Sequence, residues 1–258
     1  MKVVILAGGY GTRISEESHL RPKPMVEIGG KPILWHIMKS YAAYGLHEFI
    51  ICCGYKGHII KDYFLNYYMY QNNIIKYMKE DSLEVPGQIR EPWKVTLVNT
   101  GLGTGTAGRI QKIRSYVDGE EFMMTYGDGV SDVNIDSLLQ FHHSHGKIAT
   151  ITATKPAGRF GALCINKDNG ISSFREKDKS DESWVNAGFA VFTPEIFDYL
   201  GDGTDMLERS PYEKLAGDGQ MRAFKHEGFW SPMDTVRDRD YLEGLWKGGV
   251  PPWKTWEE

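Results

Sequence analysis

A glycine-rich turn followed by basic residues lies near the start of the chain. Residues 3–13 read Val-Val-Ile-Leu-Ala-Gly-Gly-Tyr-Gly-Thr-Arg, and residues 21–27 read Arg-Pro-Lys-Pro-Met-Val-Glu. Glycines let backbone N–H groups come close to a ligand, and such loops commonly hold phosphate. The guanidinium of Arg13 matches the geometry of a phosphate, while Lys23 supplies a point charge. The pattern predicts a binding loop for a phosphorylated ligand.

Two better-known glycine-rich phosphate sites do not fit this turn. A dinucleotide-binding fingerprint needs a third small residue where the chain has Ile14, and an acid at the end of the second strand, where residues 52–54 read Cys-Cys-Gly. A Walker loop ends in Gly-Lys-Ser/Thr, whereas this loop ends in Gly-Thr-Arg. A tight strand-to-helix turn without a ligand is the remaining alternative for the glycines alone. Arg13 and the proline-flanked Lys23 disfavour that alternative.

Two aspartates stand where carboxylates commonly hold a metal ion. Asp128 follows a predicted buried strand at 122–126, and open α/β sheets bind ligands at the carboxyl ends of their strands. Asp234 directly precedes the predicted last helix. Each residue also has a purely structural alternative, because Asp128 fits a turn between glycines and Asp234 fits a helix N-cap. The residues alone leave both alternatives open.

The composition excludes several classes of protein. The 258 residues, 41% hydrophobic and 25% charged, are typical of a globular domain, and a net charge of −4 gives no basic surface for nucleic acid or anionic lipid. No stretch approaches the ~20 apolar residues of a membrane span, and the first apolar run is too short for a signal-peptide core. Three cysteines fit neither a disulfide framework nor a zinc site. We therefore expect a cytoplasmic protein with reduced thiols, without nucleic-acid or membrane partners.

Strand and helix patterns alternate through the first part of the chain. Their alternation with short joins predicts an α/β fold, a doubly wound, mostly parallel, Rossmann-like sheet flanked by helices. The predicted strands are 3–6, 49–53, 95–98, 122–126 and 148–154, and the predicted helices are 32–44, from 58 onward, 109–117 and 135–145.

The second part of the chain predicts a smaller antiparallel β region. Segments 162–165 and 171–176 flank Asp-Asn-Gly and predict a hairpin. Strands at 184–192 and 221–224, a short helix opened by Pro194 and a long helix at 236–246 complete the pattern. Because no linker or repeat separates the halves, we predict a single domain over residues 1–258. It carries an insertion at about 66–93 and a C-terminal helix with a Trp-rich tail at about 235–258.

The glycine loop is the start of a longer pattern. Leu-Ala-Gly-Gly-Tyr-Gly-Thr-Arg at 6–13, followed by Lys-Pro-Met-Val at 23–26, resembles the signature of sugar-1-phosphate nucleotidylyltransferases, and within them the glucose-1-phosphate cytidylyltransferases. The resemblance covers nearly the whole chain. Further matching segments lie at 32–38, 49–57, 125–129, 158–162, 228–235 and 252–256.

The resemblance implies an activity and a cofactor. The implied reaction transfers the cytidylyl group of CTP to α-D-glucose 1-phosphate, giving CDP-D-glucose and pyrophosphate, for nucleotide-sugar and O-antigen-type lipopolysaccharide biosynthesis. Mg²⁺ would be held by Asp128 and Asp234, and Arg13 and Lys23 would be catalytic. The expected partners are therefore small-molecule substrates.

The resemblance also implies two sets of binding residues. Lys177 would meet the sugar-bound phosphate, although relatives usually have Pro after that lysine and this chain has Asp178. The nucleotide-binding set is Leu6, Ala7, Gly8, Gly9, Tyr10, Gly11, Thr12, Arg13, Thr104, Arg109, Gly127 and Asp128, and the sugar-phosphate set is Lys23, Glu176, Lys177, Asn186 and Gly188.

Alternatives remain for the function and for the assembly. The same chemistry could use another base or another sugar 1-phosphate, or the chain could be a nucleotide-binding regulator without turnover. Intact Arg13, Lys23, Asp128 and Asp234 disfavour the regulator, because binding alone does not require both acids. The Trp-rich ending and an aromatic group (Tyr63, Tyr67, Tyr68 and Tyr70) either pack on the chain itself or form subunit contacts. We expect a homo-oligomer.

Overall fold

The computed structural model describes residues 1–86, 91–155, 162–165, 171–175, 184–202 and 205–256. Its strands are β1 Lys2–Ala7, β2 Glu27–Ile28, β3 Lys31–Pro32, β4 Glu48–Cys53, β5 Ile75–Tyr77, β6 Ser82–Glu84, β7 Lys94–Asn99, β8 Phe122–Tyr126, β9 Gly129–Ser131, β10 Ala149–Thr154, β11 Ala162–Ile165, β12 Ile171–Arg175, β13 Val185–Phe192, β14 Met221–His226 and β15 Trp230–Pro232. Its helices are α1 Ser15–Ser18, α2 Ile33–Ala42, α3 Gly57–Leu65, α4 Tyr67–Gln71, α5 Thr106–Lys112, α6 Arg114–Val117, α7 Ile135–His145, α8 Ser210–Gly217 and α9 Val236–Lys247, with 3₁₀ turns at Thr12–Ile14, Lys23–Met25 and Pro194–Asp198.

A seven-stranded sheet, in the order β14-β10-β13-β8-β1-β4-β7, forms the centre of the fold. All neighbouring pairs are parallel except the two that involve β13, which runs antiparallel to β8 and β10. The predicted mostly parallel, Rossmann-like sheet is therefore confirmed. The predicted hairpin is confirmed in the antiparallel pair β11/β12, whose turn lies outside the described residues.

The sheet separates two hydrophobic cores. Successive residues of β1 enter opposite sides, because Val3 and Ile5 belong to one core and Val4 and Leu6 to the other. Helix α2 packs in the first core and α5 in the second. A strand that is apolar on both faces therefore has to be covered by helices on both sides, which the unbroken apolar run of β1 already indicated.

Two predicted helix boundaries are wrong. Pro32 was predicted as the first helical residue, but it is extended and pairs with Glu27, so that α2 begins at Ile33. The helix predicted at 109–117 begins earlier, at Thr106, and is broken at Ile113 into α5 and α6. Pairing with Glu27 keeps Pro32 out of α2. Gly105 is the extended N-cap of α5, so this helix begins three residues before Arg109.

The Trp-rich ending packs on its own chain. Trp253 is fully buried and stacks near Phe229 and Trp246, and its indole N–H donates to Nδ1 of His36 at 3.4 Å. Burial lowers the pKa of His36 to about 4, so the ring is neutral at pH 7, and its Nε2–H donates to the Ile28 carbonyl at 2.8 Å. Of the two alternatives for this ending, the structure shows the intramolecular one.

The segment predicted as an insertion contributes α4 and the antiparallel pair β5/β6. It is attached to α2 through the ion pair of Lys39 with Glu91 at 3.2 Å and through the Trp35 indole, which donates to the Tyr67 hydroxyl at 3.0 Å. All residues of β5 and β6 are exposed. Over the part of the chain that the structure covers, no helix has the length and apolar character needed to cross a membrane.

Candidate active site

A cleft of about 390 Å³ opens at the carboxyl ends of β1 and β8, on the edge of the sheet where α/β folds bind ligands. It brings together all twelve residues predicted to bind a nucleotide, from Leu6 to Asp128, and also Lys23. Leu102, Met206 and Tyr126 line it as well. That the twelve residues contact a nucleotide remains a prediction, but the structure places them around one cavity.

The glycine loop requires its glycines for two different reasons. Gly11 has φ +65°, a conformation that other residues adopt at a cost. A Cβ on Gly8 would lie 2.0 Å from Nη1 of Arg109, which leaves no room for a side chain. The loop backbone is thus pressed against a guanidinium, and its remaining surface faces the cleft.

Arg109 joins the two glycine loops of the cleft. The side chain is 4% exposed. Its Nη2 donates to the Gly8 carbonyl at 2.8 Å, while Nη1 donates to the Gly101 carbonyl at 3.1 Å and to the Thr100 hydroxyl. A buried guanidinium bonded to carbonyls from separate loops fixes their spacing. Arg109 therefore helps to set the shape of the cleft, and its contact with a bound nucleotide remains a prediction.

We expect Arg109→Met to destabilise the fold and to weaken nucleotide binding. The substitution removes the Arg109 donor from the Gly101 carbonyl and from the buried Thr100 hydroxyl. The Gly8 carbonyl loses one of its two donors and keeps the Tyr55 N–H at 3.2 Å. Each buried group left unpaired costs about 1–3 kcal/mol. Urea unfolding measures the free energy of unfolding, and titration with CTP measures binding. Arg222→Met is the matched control, because exposed Arg222 also donates to backbone carbonyls, of Gly219 and Met221, outside the cleft. Equal unfolding midpoints for the two variants would contradict the clamping role.

Four charged side chains, two basic and two acidic, meet at the cleft, and three of them line it. Nζ of Lys23 lies 2.7 Å from Oδ2 of Asp128 and 2.7 Å from Oδ1 of Asp234. Nη1 of Arg13 lies 2.7 Å from the other carboxylate oxygen of Asp234. The side chain of Lys23 is 9% exposed, whereas that of Arg13 is 74% exposed. The two catalytic candidates and the two metal-ligand candidates thus form one hydrogen-bonded cluster.

A short two-stranded ribbon brings the two acids together. Strand β9, directly after Asp128, pairs with β15, which ends just before Met233. The Met233 N–H donates to the Asp128 carbonyl at 2.8 Å, so Asp128 lies beside the residue that precedes Asp234. No periodicity in the sequence indicated this pairing, because its strands are three residues long and lie far apart in the chain.

The N-cap alternative for Asp234 is excluded. The N-cap of α9 is Thr235, whose hydroxyl accepts from the Asp238 N–H in a capping box. The backbone N–H of Asp234 donates to Oδ2 of Asp238 at 3.0 Å. The carboxylate of Asp234 is therefore directed to Lys23 and Arg13 instead of to the helix.

The donor set of this cluster fits Mg²⁺. In nucleotide sites this ion is commonly bound by one or two carboxylates together with substrate phosphates and water. The carboxylates of Asp128 and Asp234 already share one cationic partner, the ammonium of Lys23. They therefore lie close enough to share a divalent cation.

The predicted sugar-phosphate residues are only partly described. A small pocket beside Asp128 contains Asn186 and Gly188, and the Asn186 side chain accepts from the Gly188 N–H at 2.8 Å. Tyr126 lines this pocket as well as the main cleft. Glu176 and Lys177, with the unusual Asp178, lie outside the described residues.

The thiols of Cys52 and Cys53 are not nucleophiles of this site. Both side chains are buried at the end of β4, behind the glycine loop. Burial raises the pKa of Cys52 to about 12 and that of Cys53 to about 11. Both thiols are therefore protonated at neutral pH and do not act as thiolates.

Sequence reasoning missed Tyr126 and Met206 as cleft residues. Tyr126 ends a buried strand directly before Gly127 and Asp128, so its position at the carboxyl edge was a usable signal. Met206 lies in an irregular segment before α8 and carries no such signal.

Comparison with known proteins shows the family of the chain. Residues 2–238 match the Nucleotidyl transferase family. The chain belongs to this family. It is 54% identical over 258 residues to the glucose-1-phosphate cytidylyltransferase of Salmonella typhimurium, with 100% of both chains covered. It is 43% identical to the probable glucose-1-phosphate cytidylyltransferase of Bacillus subtilis, covering 99% of this chain and 100% of that one.

Solved structures share the fold at much lower identity. UDP-glucose pyrophosphorylase from Acinetobacter baumannii superposes with a TM-score of 0.70 at 16% identity, over 98% of this chain and 95% of the other. A putative glucose-1-phosphate thymidylyltransferase from Bacillus anthracis gives a TM-score of 0.69 at 16% identity, over 100% and 97%. At such identities the likeness shows the nucleotidyltransferase fold, and the base and sugar have to be argued separately.

Proposed function

We propose that the protein transfers the cytidylyl group of CTP to α-D-glucose 1-phosphate, giving CDP-D-glucose and pyrophosphate. The observation that carries the reaction class is the cluster in which Lys23 bridges Asp128 and Asp234 beside the glycine loop. The choice of base and sugar rests on the 54% identity to a glucose-1-phosphate cytidylyltransferase over the whole chain.

The proposed reaction needs little covalent help from the protein. A phosphate monoester loses its second proton near pH ~6, so the sugar phosphate is already an ionised nucleophile at neutral pH. The enzyme has to hold two anions in line and neutralise the charge that develops on the α-phosphate and pyrophosphate. Bound Mg²⁺, held by Asp128 and Asp234, would supply part of that charge. Lys23 and Arg13 supply the rest.

Each wall of the cleft has a proposed task. Backbone N–H groups of the loop from Gly8 to Thr12 hold the triphosphate, since this stretch lines the cleft next to Arg13. The loop with Thr104 bounds the same cleft and is proposed to hold the base. Asn186 and Gly188 hold the sugar from the smaller pocket, with Glu176 and Lys177 predicted to assist.

Pyrophosphate release tests the proposal directly. The purified chain is incubated with each of CTP, UTP, dTTP, ATP and GTP against each of several sugar 1-phosphates, with Mg²⁺. We expect release that requires both CTP and glucose 1-phosphate. Pyrophosphate release with another pair of nucleotide and sugar 1-phosphate would change the proposed base or sugar. Tight CTP binding without release in any combination would favour the regulator instead.

We also propose that the protein is a homo-oligomer that uses the exposed hairpin β5/β6 and the adjoining helix α4. Large apolar side chains are exposed there, among them Met78 at 82% and Tyr70 at 64%. Apolar surface concentrated in one small element commonly marks a contact between subunits.

The assembly is expected to depend on that hairpin. Light scattering at micromolar concentration should show an oligomer for the wild type and a smaller species for Met78→Glu, because a buried unpaired charge opposes association. Val250→Glu is the control, since Val250 is 78% exposed in another part of the chain. A monomeric wild type would refute the proposal, as would a Met78→Glu variant of unchanged mass.

A further inference from the structure

One carboxylate outside the cleft connects two of its walls. The Tyr126 hydroxyl donates to Oε1 of Glu208, and the Thr106 hydroxyl donates to Oε2 of Glu208 at 2.7 Å. Thr106 in turn accepts from the Leu207 N–H at 2.7 Å. Glu208 is exposed and does not line the cleft, yet it bonds to residues from two different walls.

The first wall faces the sugar side. Tyr126 lines both the main cleft and the smaller pocket that contains Asn186 and Gly188. Gly188 has φ +84°, and a Cβ there would lie 2.4 Å from Cδ2 of the Tyr126 ring. The ring is therefore in direct contact with the backbone of the sugar pocket. A change in the position of the ring changes that pocket.

The second wall faces the nucleotide side. Thr106 is the first residue of α5, directly after the glycine-rich loop 101–105 whose residues line the main cleft. A Cβ on Gly105 would lie 2.7 Å from the Asp205 carbonyl, so this loop packs closely on the segment that carries Glu208. The position of the segment and the position of the loop are thus mutually dependent.

An ionised carboxylate suits this junction because both neighbours donate to it. Its two oxygens each accept from one hydroxyl, which the amide of a glutamine cannot do with both of its terminal atoms.

We propose that Glu208 is a positioning residue that couples the binding of the two substrates. Its bonds to Tyr126 and Thr106 make the sugar pocket and the nucleotide loop adopt their binding arrangement together. The proposal rests on the function proposed above, because it requires a nucleotide and a sugar phosphate to occupy the two pockets.

Calorimetric titration tests the coupling without turnover. Glucose 1-phosphate is titrated into the protein alone and into the protein saturated with α,β-methylene CTP, which cannot transfer its nucleotidyl group. The ratio of the two dissociation constants is the coupling factor. We expect a coupling factor of about tenfold or more for the wild type. In Glu208→Gln most of this coupling factor should be lost, while the affinity for the CTP analogue alone should change less than about threefold.

Two further variants separate positioning from general destabilisation. Asp218→Asn is the matched control, because Asp218 accepts from the Tyr199 hydroxyl at 3.0 Å in a comparable pair away from the cleft, and it should keep the wild-type factor. In a Tyr126→Phe background the Glu208→Gln change should have little further effect, since the connection is already broken.

The outcomes distinguish this proposal from the proposed function. An unchanged coupling factor in Glu208→Gln, or a wild type that binds both ligands independently, overturns the role of Glu208 alone. The role of Glu208 is also overturned if Glu208→Gln lowers the affinity for both ligands equally and leaves the coupling factor unchanged. If the wild type binds neither ligand and releases no pyrophosphate, the proposed function itself is contradicted.

Discussion

Asp128→Asn and Asp234→Asn are each expected to lower turnover by about a hundredfold or more at saturating Mg²⁺, because metal clamps supply several kcal/mol at such transition states. Asparagine keeps the size of the side chain but removes the negative charge that holds the cation. The structure adds a second reason, since each substitution also removes a carboxylate partner of Lys23, whose Nζ lies 2.7 Å from both acids.

Turnover at saturating concentrations of both substrates and Mg²⁺ measures this effect, and binding of Mn²⁺ to the nucleotide complex provides a reading independent of activity. Asp240→Asn is the matched control, because Asp240 lies on α9 close to Asp234 in the chain and pairs with Arg239 at the surface. It should keep nearly wild-type rates. Wild-type turnover in either of these two variants would show that the substituted aspartate has no role in the active site.

Lys23→Ala is expected to lower kcat by about 10²–10³ while changing the affinity for glucose 1-phosphate far less, as when a preorganised charge aimed at the reacting group is removed. The Lys23 side chain is 9% exposed, and its ammonium is held between the carboxylates of Asp128 and Asp234, so it does not relocate freely. Its removal also leaves the two carboxylates without their shared cation, which should favour binding of a divalent ion.

Steady-state kinetics with Lys23→Ala separate these effects. Lys39→Ala serves as the control, because Lys39 forms a comparable half-buried ion pair with Glu91 outside the cleft. We expect a normal kcat for the control and a strongly reduced kcat for Lys23→Ala. If Lys23→Ala instead keeps its kcat and only raises KM, Lys23 is a binding residue and its catalytic role is wrong.

The sheet and the glycine loop could be predicted because their signals are local. The unbroken apolar run of β1, the turn at Gly8 and the proline-flanked Lys23 all lie within one short stretch. The position of Asp128 after β8 follows from the same rule, since the carboxyl ends of neighbouring parallel strands meet at one edge.

The remaining features depend on contacts between distant parts of the chain. The ribbon of β9 and β15 that joins Asp128 to Asp234 consists of two very short strands, which no periodic pattern marks. Arg109 was predicted to bind the nucleotide. Its burial and its bonds to the Gly8 and Gly101 carbonyls could not be predicted, because they arise only when two loops meet. Glu208 lies in an irregular segment and reaches Tyr126 only in the folded chain.

The choice of base follows from one edge of the pyrimidine ring. Cytosine offers an amino donor at C4 and an acceptor at N3, and uracil reverses both. A pocket built for cytosine leaves buried groups mismatched with uracil, at about 1–3 kcal/mol for each. Two mismatches imply a preference for CTP on the order of a hundredfold. Both glycine loops line the cleft, and we expect their backbone groups to read this edge of a bound base.

The most direct test of the proposed cytidylyl transfer is kcat/KM for CTP and for UTP, measured with glucose 1-phosphate at fixed Mg²⁺. We expect CTP to be preferred by about a hundredfold or more, with CDP-glucose and pyrophosphate formed in equal amounts. Equal values, or a preference for UTP, would contradict the cytidylyl assignment and leave a nucleotidyltransferase with a different base.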